Sequence, residues 1–174
     1  MMAQSSNPDL VFVVGGARSG KSVFAEALVR AHPAPWTYIA TAQAYDDEMR
    51  TRIAAHKARR SADWINVDAP LALAEAIRAA APAAPLLVDC LTLWLTNHML
   101  AESDLATVRE GLLAALATRR APTVVVSNEV GQGIVPDNAL ARRFRDEAGV
   151  LHQRVAACAG EAHFIVSGLP LRLK

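Results

Sequence analysis

Short, unbroken apolar runs alternate along this chain with longer stretches in which apolar residues return every three or four positions. Leu10-Val11-Phe12-Val13-Val14 is such a run, and comparable segments predict strands near 10–14, 36–40, 64–67, 86–89, 123–127 and 163–167. Helices are expected near 21–31, 46–61, 70–80, 91–119 and 137–159, the fourth of them broken around Glu102-Ser103-Asp104. In the last, Leu140, Phe144, Leu151 and Val155 share one face, while Arg142, Arg145, Asp146 and Arg154 lie off it. Proline at 33–35 and 82–85 ends the preceding helices, because it removes a donor and restricts the residue before it. Continuous apolar strands alternating with helices predict an α/β fold, a mostly parallel sheet with helices on both faces.

No repeat or linker interrupts this pattern, so the 174 residues read as one domain, 1–174, with residues 1–9 as a disposable N-terminal extension. A hydrophobic fraction of 52% is ample for a buried core. With 18 basic against 17 acidic residues the net charge is +1, which gives no overall pull toward nucleic acid or an anionic membrane. The start of the chain lacks a basic segment followed by a long apolar stretch, and no run approaches the roughly 18 apolar residues of a membrane span. Cys90 and Cys158 lie in apolar surroundings, where buried, reduced thiols are expected, and the cytoplasm is the expected compartment.

Chemistry enters with Gly15-Gly16-Ala17-Arg18-Ser19-Gly20-Lys21-Ser22, which completes the phosphate-binding pattern G-x-x-x-x-G-K-[ST] between a predicted strand and a predicted helix. A polyphosphate needs several donors converging on a small volume, and a glycine-rich turn aims consecutive backbone N–H groups inward. Lys21 adds a point charge, Ser22 a hydroxyl where a phosphate-bound Mg²⁺ would sit, and the helix directs its positive dipole end at the anion. ATP or GTP is the expected class of ligand.

Asp89 ends an apolar strand, where a carboxylate can reach the Mg²⁺ beside the loop, although the same residue also suits an N-cap for the next helix. His56 sits in a helical stretch with Arg52, Arg59 and Arg60 on neighbouring surface. Nearby positive charge lowers an imidazole pKa below its usual value of about 6.5, which keeps the ring neutral and nucleophilic. A solvated basic face is the alternative. Asp46-Asp47-Glu48 suits an acidic first helical turn, and the loop from Ser127 to Pro136 lies at the edge of the sheet where ligands bind. Gly131 and Gly133 in that loop serve either the site or a turn.

These segments resemble the bifunctional adenosylcobinamide kinase/adenosylcobinamide-phosphate guanylyltransferase family of cobalamin biosynthesis. The matching stretches are the loop 15–22, Tyr38-Ile39-Ala40-Thr41-Ala42, Asp46-Asp47-Glu48-Met49, Arg52-Ile53 through His56-Lys57, Asn128-Glu129-Val130-Gly131 through Pro136, and Arg143-Phe144-Arg145-Asp146. The resemblance runs from about residue 10 to the C-terminus. It implies a P-loop NTPase of RecA-like topology with one antiparallel edge strand near Leu171-Arg172-Leu173, and a homotrimer. Its two reactions are phosphorylation of adenosylcobinamide by ATP or GTP, then GMP transfer from GTP to adenosylcobinamide phosphate with release of pyrophosphate.

The position matching the family's guanylylated histidine is His56. Carried over residue by residue, Lys21 is catalytic with it. The loop 15–22, Thr41, Ala42, Gln43, Lys57, Ala58, Arg59, Arg60, Asp68 and Asp89 are nucleotide contacts, and Ser22 and Asp89 hold Mg²⁺. Ala55 stands where relatives can carry a second histidine, and Asp89 where some carry Glu. The residues taken alone also admit a P-loop kinase of a smaller alcohol, or a nucleotide-dependent switch or assembly ATPase.

Overall fold

A computed structural model describes residues 6–43, 47, 51 and 60–174 of the chain. Strand β1 (Asn7–Gly15) splits its side chains between two cores. Leu10, Phe12 and Val14 enter one, and Val11 and Val13 the other, as strand periodicity requires. It is followed by α1 (Lys21–Arg30), β2 (Trp36–Ala40), β3 (Trp64–Asp68), α2 (Leu73–Ala79) and β4 (Leu86–Asp89). After these come α3 (Leu91–Leu100), α4 (Leu105–Thr118), β5 (Thr123–Asn128), α5 (Ala139–Cys158), β6 (Ala159–Val166) and β7 (Leu169–Arg172).

The seven strands form one sheet in the order β3-β2-β4-β5-β1-β6-β7, parallel except for the pairing of β7 against β6. Ala25 and Val29 of α1 pack on the face that carries Val13, Tyr38, Leu87 and Val126. Helices α2 to α5 cover the opposite face, around Phe12, Ile39, Val88 and Val125. The expected α/β sheet with helices on both faces and one antiparallel edge strand is the fold observed.

Several local expectations change. The strand assigned to 10–14 begins at Asn7, so residues 7–9 belong to the sheet rather than to a disposable extension. Asn7 is 2% exposed, and its side-chain amide donates to Leu116 O at 2.8 Å and Arg119 O at 2.9 Å, closing the end of α4. The sixth strand begins at Ala159, not 163, because pairing of Asn7 with Ala159 and of Val11 with Glu161 draws a segment of poor strand propensity into the sheet. The edge strand occupies Leu169–Arg172, two residues earlier than expected, after a turn in which Ser167 and Gly168 take positive φ.

The predicted break in the fourth helix is present. Asp104 caps α4 by accepting from Ala106 N and Thr107 N, and these bonds with that of the Thr107 hydroxyl hold its carboxyl below the usual carboxylate range. Of the helix expected over 46–61, Asp47 and Thr51 are described and helical, and the rest lies outside the described residues.

Candidate active site

The parallel strands bring Gly15, Asn128, Asp89, Ala40 and Asp68 to one edge of the sheet, in the registers Gly15–Asn128, Ala40–Asp89 and Ala40–Asp68. Ligands bind at this carboxyl edge in open α/β sheets. β1 runs here into the glycine-rich loop, which turns back into α1 through Gly20 at φ 95°. Its N-cap, Gly20, has no side chain to cap α1, so the first N–H groups face the loop interior with the positive end of the helix dipole.

Lys21, only 9% exposed, folds back so that Nζ donates to Gly16 O at 3.0 Å. Ser19 Oγ is buried with no partner among the described residues, which makes it an orphan donor inside the loop. On the outer side, Gly168 N donates to Ser19 O at 2.8 Å, so the β6–β7 turn buttresses the loop.

Asp89 ends β4, two strands from β1. Its Oδ2 accepts from the Tyr38 hydroxyl at 2.8 Å, while the N-cap of α3 is Cys90, which makes no side-chain capping bond. The carboxylate is therefore held by β2 rather than spent on the helix. Burial and the charge of Asp89 push the Tyr38 phenol up, so it stays a donor. The Arg60 guanidinium lies 3.6 Å from the centre of the Tyr38 ring, and its Nε donates to Asn66 Oδ1 at 2.8 Å. Arg60, Tyr38 and Asp89 thus form one chain of contacts across β2 and β4.

Thr41 is fully buried, its hydroxyl donating to Cys90 O at 2.7 Å and accepting from Cys90 N at 2.9 Å. It fixes the turn after Asp89 and offers no side-chain donor to the cleft. Cys90 is buried too, and its thiol is pushed up, first by burial and then by Asp89, with Lys21 pulling it down. Ala42 and Gln43 follow β2 half-buried, whereas Asp68 is exposed on the edge strand β3, four strand spacings or about 19 Å from β1. His56, Lys57, Ala58 and Arg59 lie outside the described residues.

Other groups at this edge escaped assignment from sequence. The Asn128 side-chain amide donates to Thr92 Oγ1 at 2.8 Å, tying the tip of β5 to the start of α3. Glu129 N donates to Gly15 O at 3.0 Å, and a Glu129 carboxylate oxygen accepts from Gly131 N. Ser127 Oγ meets His152 Nε2 at 2.7 Å, with burial holding that imidazole below its ordinary value and Glu129 opposing the shift. The position of Ser127-Asn128-Glu129 after a strand end was the available signal. Nothing in the sequence pairs Tyr38 with Asp89. Among the described residues no helix is long and apolar enough to cross a membrane.

The glycine-rich loop and the Asp89 carboxylate thus stand at one edge of the sheet. The fold is similar to that of a prototypical ATPase from the type III secretion system of pathogenic bacteria, with a TM-score of 0.50 at 11% identity over 89% of this chain. That likeness concerns fold alone, and this chain spans 50% of that one. The chain is 50% identical to the bifunctional adenosylcobalamin biosynthesis protein CobP of Pseudomonas aeruginosa, over 93% of this chain and 95% of that protein. It is 42% identical to the bifunctional adenosylcobalamin biosynthesis protein CobU of Salmonella typhimurium and 39% to that of Escherichia coli, each over 95% of this chain and 99% of the relative. Residues 11–173 match the family described as cobinamide kinase / cobinamide phosphate guanyltransferase, and the chain belongs to that family.

Proposed function

We propose that this chain phosphorylates the hydroxyl of adenosylcobinamide with ATP or GTP, and then transfers GMP from GTP to the resulting phosphate through His56. The observation that carries the reading is an intact P-loop with a carboxylate held at the same edge of the sheet, in a chain matched to the kinase/guanyltransferase family over residues 11–173. Lys21 moves from Gly16 O to the phosphates, and the backbone N–H groups of 15–22 with the orphan Ser19 hydroxyl complete their cradle. Tyr38 and Thr41 hold Asp89 and the turn beyond it.

The Ser22 hydroxyl and the Asp89 carboxylate are hard oxygen donors of the type Mg²⁺ takes in addition to substrate phosphates. When bound there, Mg²⁺ neutralises charge on the phosphates. Ala42, Gln43, Arg60 and Asp68 extend the nucleotide surface along the edge of the sheet, joined by Lys57, Ala58 and Arg59.

For the second reaction, a His56 ring nitrogen attacks the α-phosphorus of GTP and pyrophosphate departs. The phosphate of adenosylcobinamide phosphate then displaces the imidazole, so one displacement is divided into two. GTP labelled in its α-phosphate tests this directly. An acid-labile label on the protein, absent in His56→Asn, is the expected result, whereas intact phosphorylation with no label would leave a kinase alone.

A further inference from the structure

A cavity of about 330 Å³ opens beside Ala17 of the P-loop, between Asn128 and Glu129 at the tip of β5, Thr92 and Thr96 of α3, and Phe144 of α5. A second of about 280 Å³ shares Thr96 and Phe144 with it and continues outward between Met99, Leu100 and Leu140. The two make a groove that starts at the phosphate loop and runs between α3 and α5. Its chemistry changes along its length. Among the described residues, the inner end carries hydrogen-bonding groups and one formal charge, Glu129, while the outer end is almost wholly apolar and carries none.

We propose that this groove is the acceptor site of the phosphoryl transfer, with the substrate hydroxyl at Glu129 and the corrinoid body against Leu100, Leu140 and Phe144. The assignment rests on the kinase reading above. Among the described residues that line the groove the one charge is a carboxylate, which repels a second polyphosphate, whereas a neutral alcohol brings that carboxylate a proton donor. The apolar end has its own explanation. The apolar stripe of α5 that buries Leu151 and Val155 continues through Phe144 to Leu140, beyond the covered part of the helix, and leaves Leu140 57% exposed. Leu100, at the end of α3 on the opposite wall, is also 57% exposed. Two large aliphatic side chains facing one groove that leads to a reactive centre are the apolar lining of a ligand pocket.

Glu129 is placed for proton transfer. Its backbone N–H is bound to Gly15 O, which fixes it beside the first residue of the P-loop. Oε1 accepts from Gly131 N, and Oε2 has no partner among the described residues. The substrate hydroxyl oxygen attacks the γ-phosphorus, forming an O–P bond as the bond to the β,γ-bridging oxygen breaks. The nucleoside diphosphate leaves with that electron pair, and the hydroxyl proton passes to Glu129 Oε2 and then to water.

The test is steady-state phosphorylation of adenosylcobinamide by ATP in the full chain, with equilibrium dialysis of adenosylcobinamide alone. Leu140→Asp and Leu100→Asp are surface changes that the fold tolerates. Each is expected to raise the acceptor KM and dialysis constant by at least about tenfold, leaving the KM for ATP and the α-label transfer from GTP as in the wild type. Glu129→Gln keeps an oxygen for Gly131 N, and is expected to lower kcat by roughly 100-fold or more with little change in acceptor binding.

Unchanged acceptor KM in both Asp variants, with an active wild type, would overturn the groove while leaving the functional reading in place. A changed particle mass for Leu140→Asp with an unchanged KM would instead assign the groove to contact between copies of the chain, and overturns the proposal equally. A wild type that takes α-label but does not phosphorylate adenosylcobinamide would overturn the kinase reading and remove the corrinoid from the groove.

Discussion

The Tyr38 hydroxyl donates to Asp89 Oδ2 at 2.8 Å, so a residue on β2 decides where the acid at the end of β4 points. The bond spans neighbouring parallel strands at the edge that faces the P-loop. Tyr38→Phe removes the hydroxyl and keeps the ring beneath Arg60. Partners that orient metal-side ligands are worth roughly 10–100-fold in metal affinity or activity. The Mg²⁺ concentration giving half-maximal phosphorylation is therefore expected to rise by about tenfold or more, read from a Mg²⁺ titration at saturating ATP. Asp89→Asn is expected to cost more at every Mg²⁺ concentration, and an unchanged titration in both variants would exclude this acid from the metal site.

Asn7 makes the start of the chain structural. Its amide satisfies two carbonyls at the end of α4, Leu116 O and Arg119 O, from a buried position. Asn7→Ala strands both acceptors, at a cost of about 1–3 kcal/mol. For a chain of this size each kcal/mol moves Tm by roughly 2–4 °C, so a loss of about 2 kcal/mol lowers Tm by roughly 4–8 °C. Calorimetry measures it, and a Tm within 1 °C of wild type, against that rough expectation, would restore the view of residues 7–9 as an appendage.

What could be read in the chain, and what could not, divides along physical lines. The P-loop was legible because strand, glycine turn and helix follow one another locally, and Asp104 was legible as a helix start because capping is a local event. Asn7-Pro8-Asp9 reads as a loop by propensity and becomes strand only through pairing with β6. Leu140 fits the apolar face of α5 by spacing, yet the core ends before it reaches that turn. The Tyr38–Asp89 bond joins residues 51 apart, and the meeting of Glu129 with Gly15 depends on β5 lying beside β1. Strand order is a tertiary choice, so contacts that depend on it are not written in any local pattern.

Acid is expected to destabilise the fold through His152. Burial beside Ser127 and Phe12 holds its pKa below the ordinary value of about 6.5, and the opposing charge of Glu129 does not reverse the shift. The unfolded chain then binds the proton first. Stability falls as pH drops below about 6.5 and levels off once pH passes below the depressed folded value. His98, itself buried and held low mainly by that burial, adds a change of the same sign. Urea midpoints between pH 7.5 and 5 measure the slope, at pH values chosen to bracket the ordinary imidazole pKa of about 6.5. His152→Gln, which keeps a polar partner for Ser127, should flatten it, and an unaltered slope would assign the acid sensitivity elsewhere.

Gly20 and Gly16 of the P-loop differ in what an added side chain would meet. Gly20 has φ 95°, and a Cβ there would lie 3.1 Å from Gly168 Cα in the buttressing turn. Gly20→Ala therefore meets left-handed strain of about 1–2 kcal/mol and a backbone neighbour at once. A lower Tm and lost nucleotide binding are expected together. A Cβ at Gly16 meets nothing within 4 Å, so Gly16→Ala should keep the wild-type Tm. The binding test falls instead on Lys21, whose Nζ donates to Gly16 O and which supplies the point charge of the loop. Calorimetry of ATP binding is expected to show affinity reduced by at least about tenfold in Lys21→Ala. Undiminished ATP affinity in that variant would mean that the phosphates bind outside the loop.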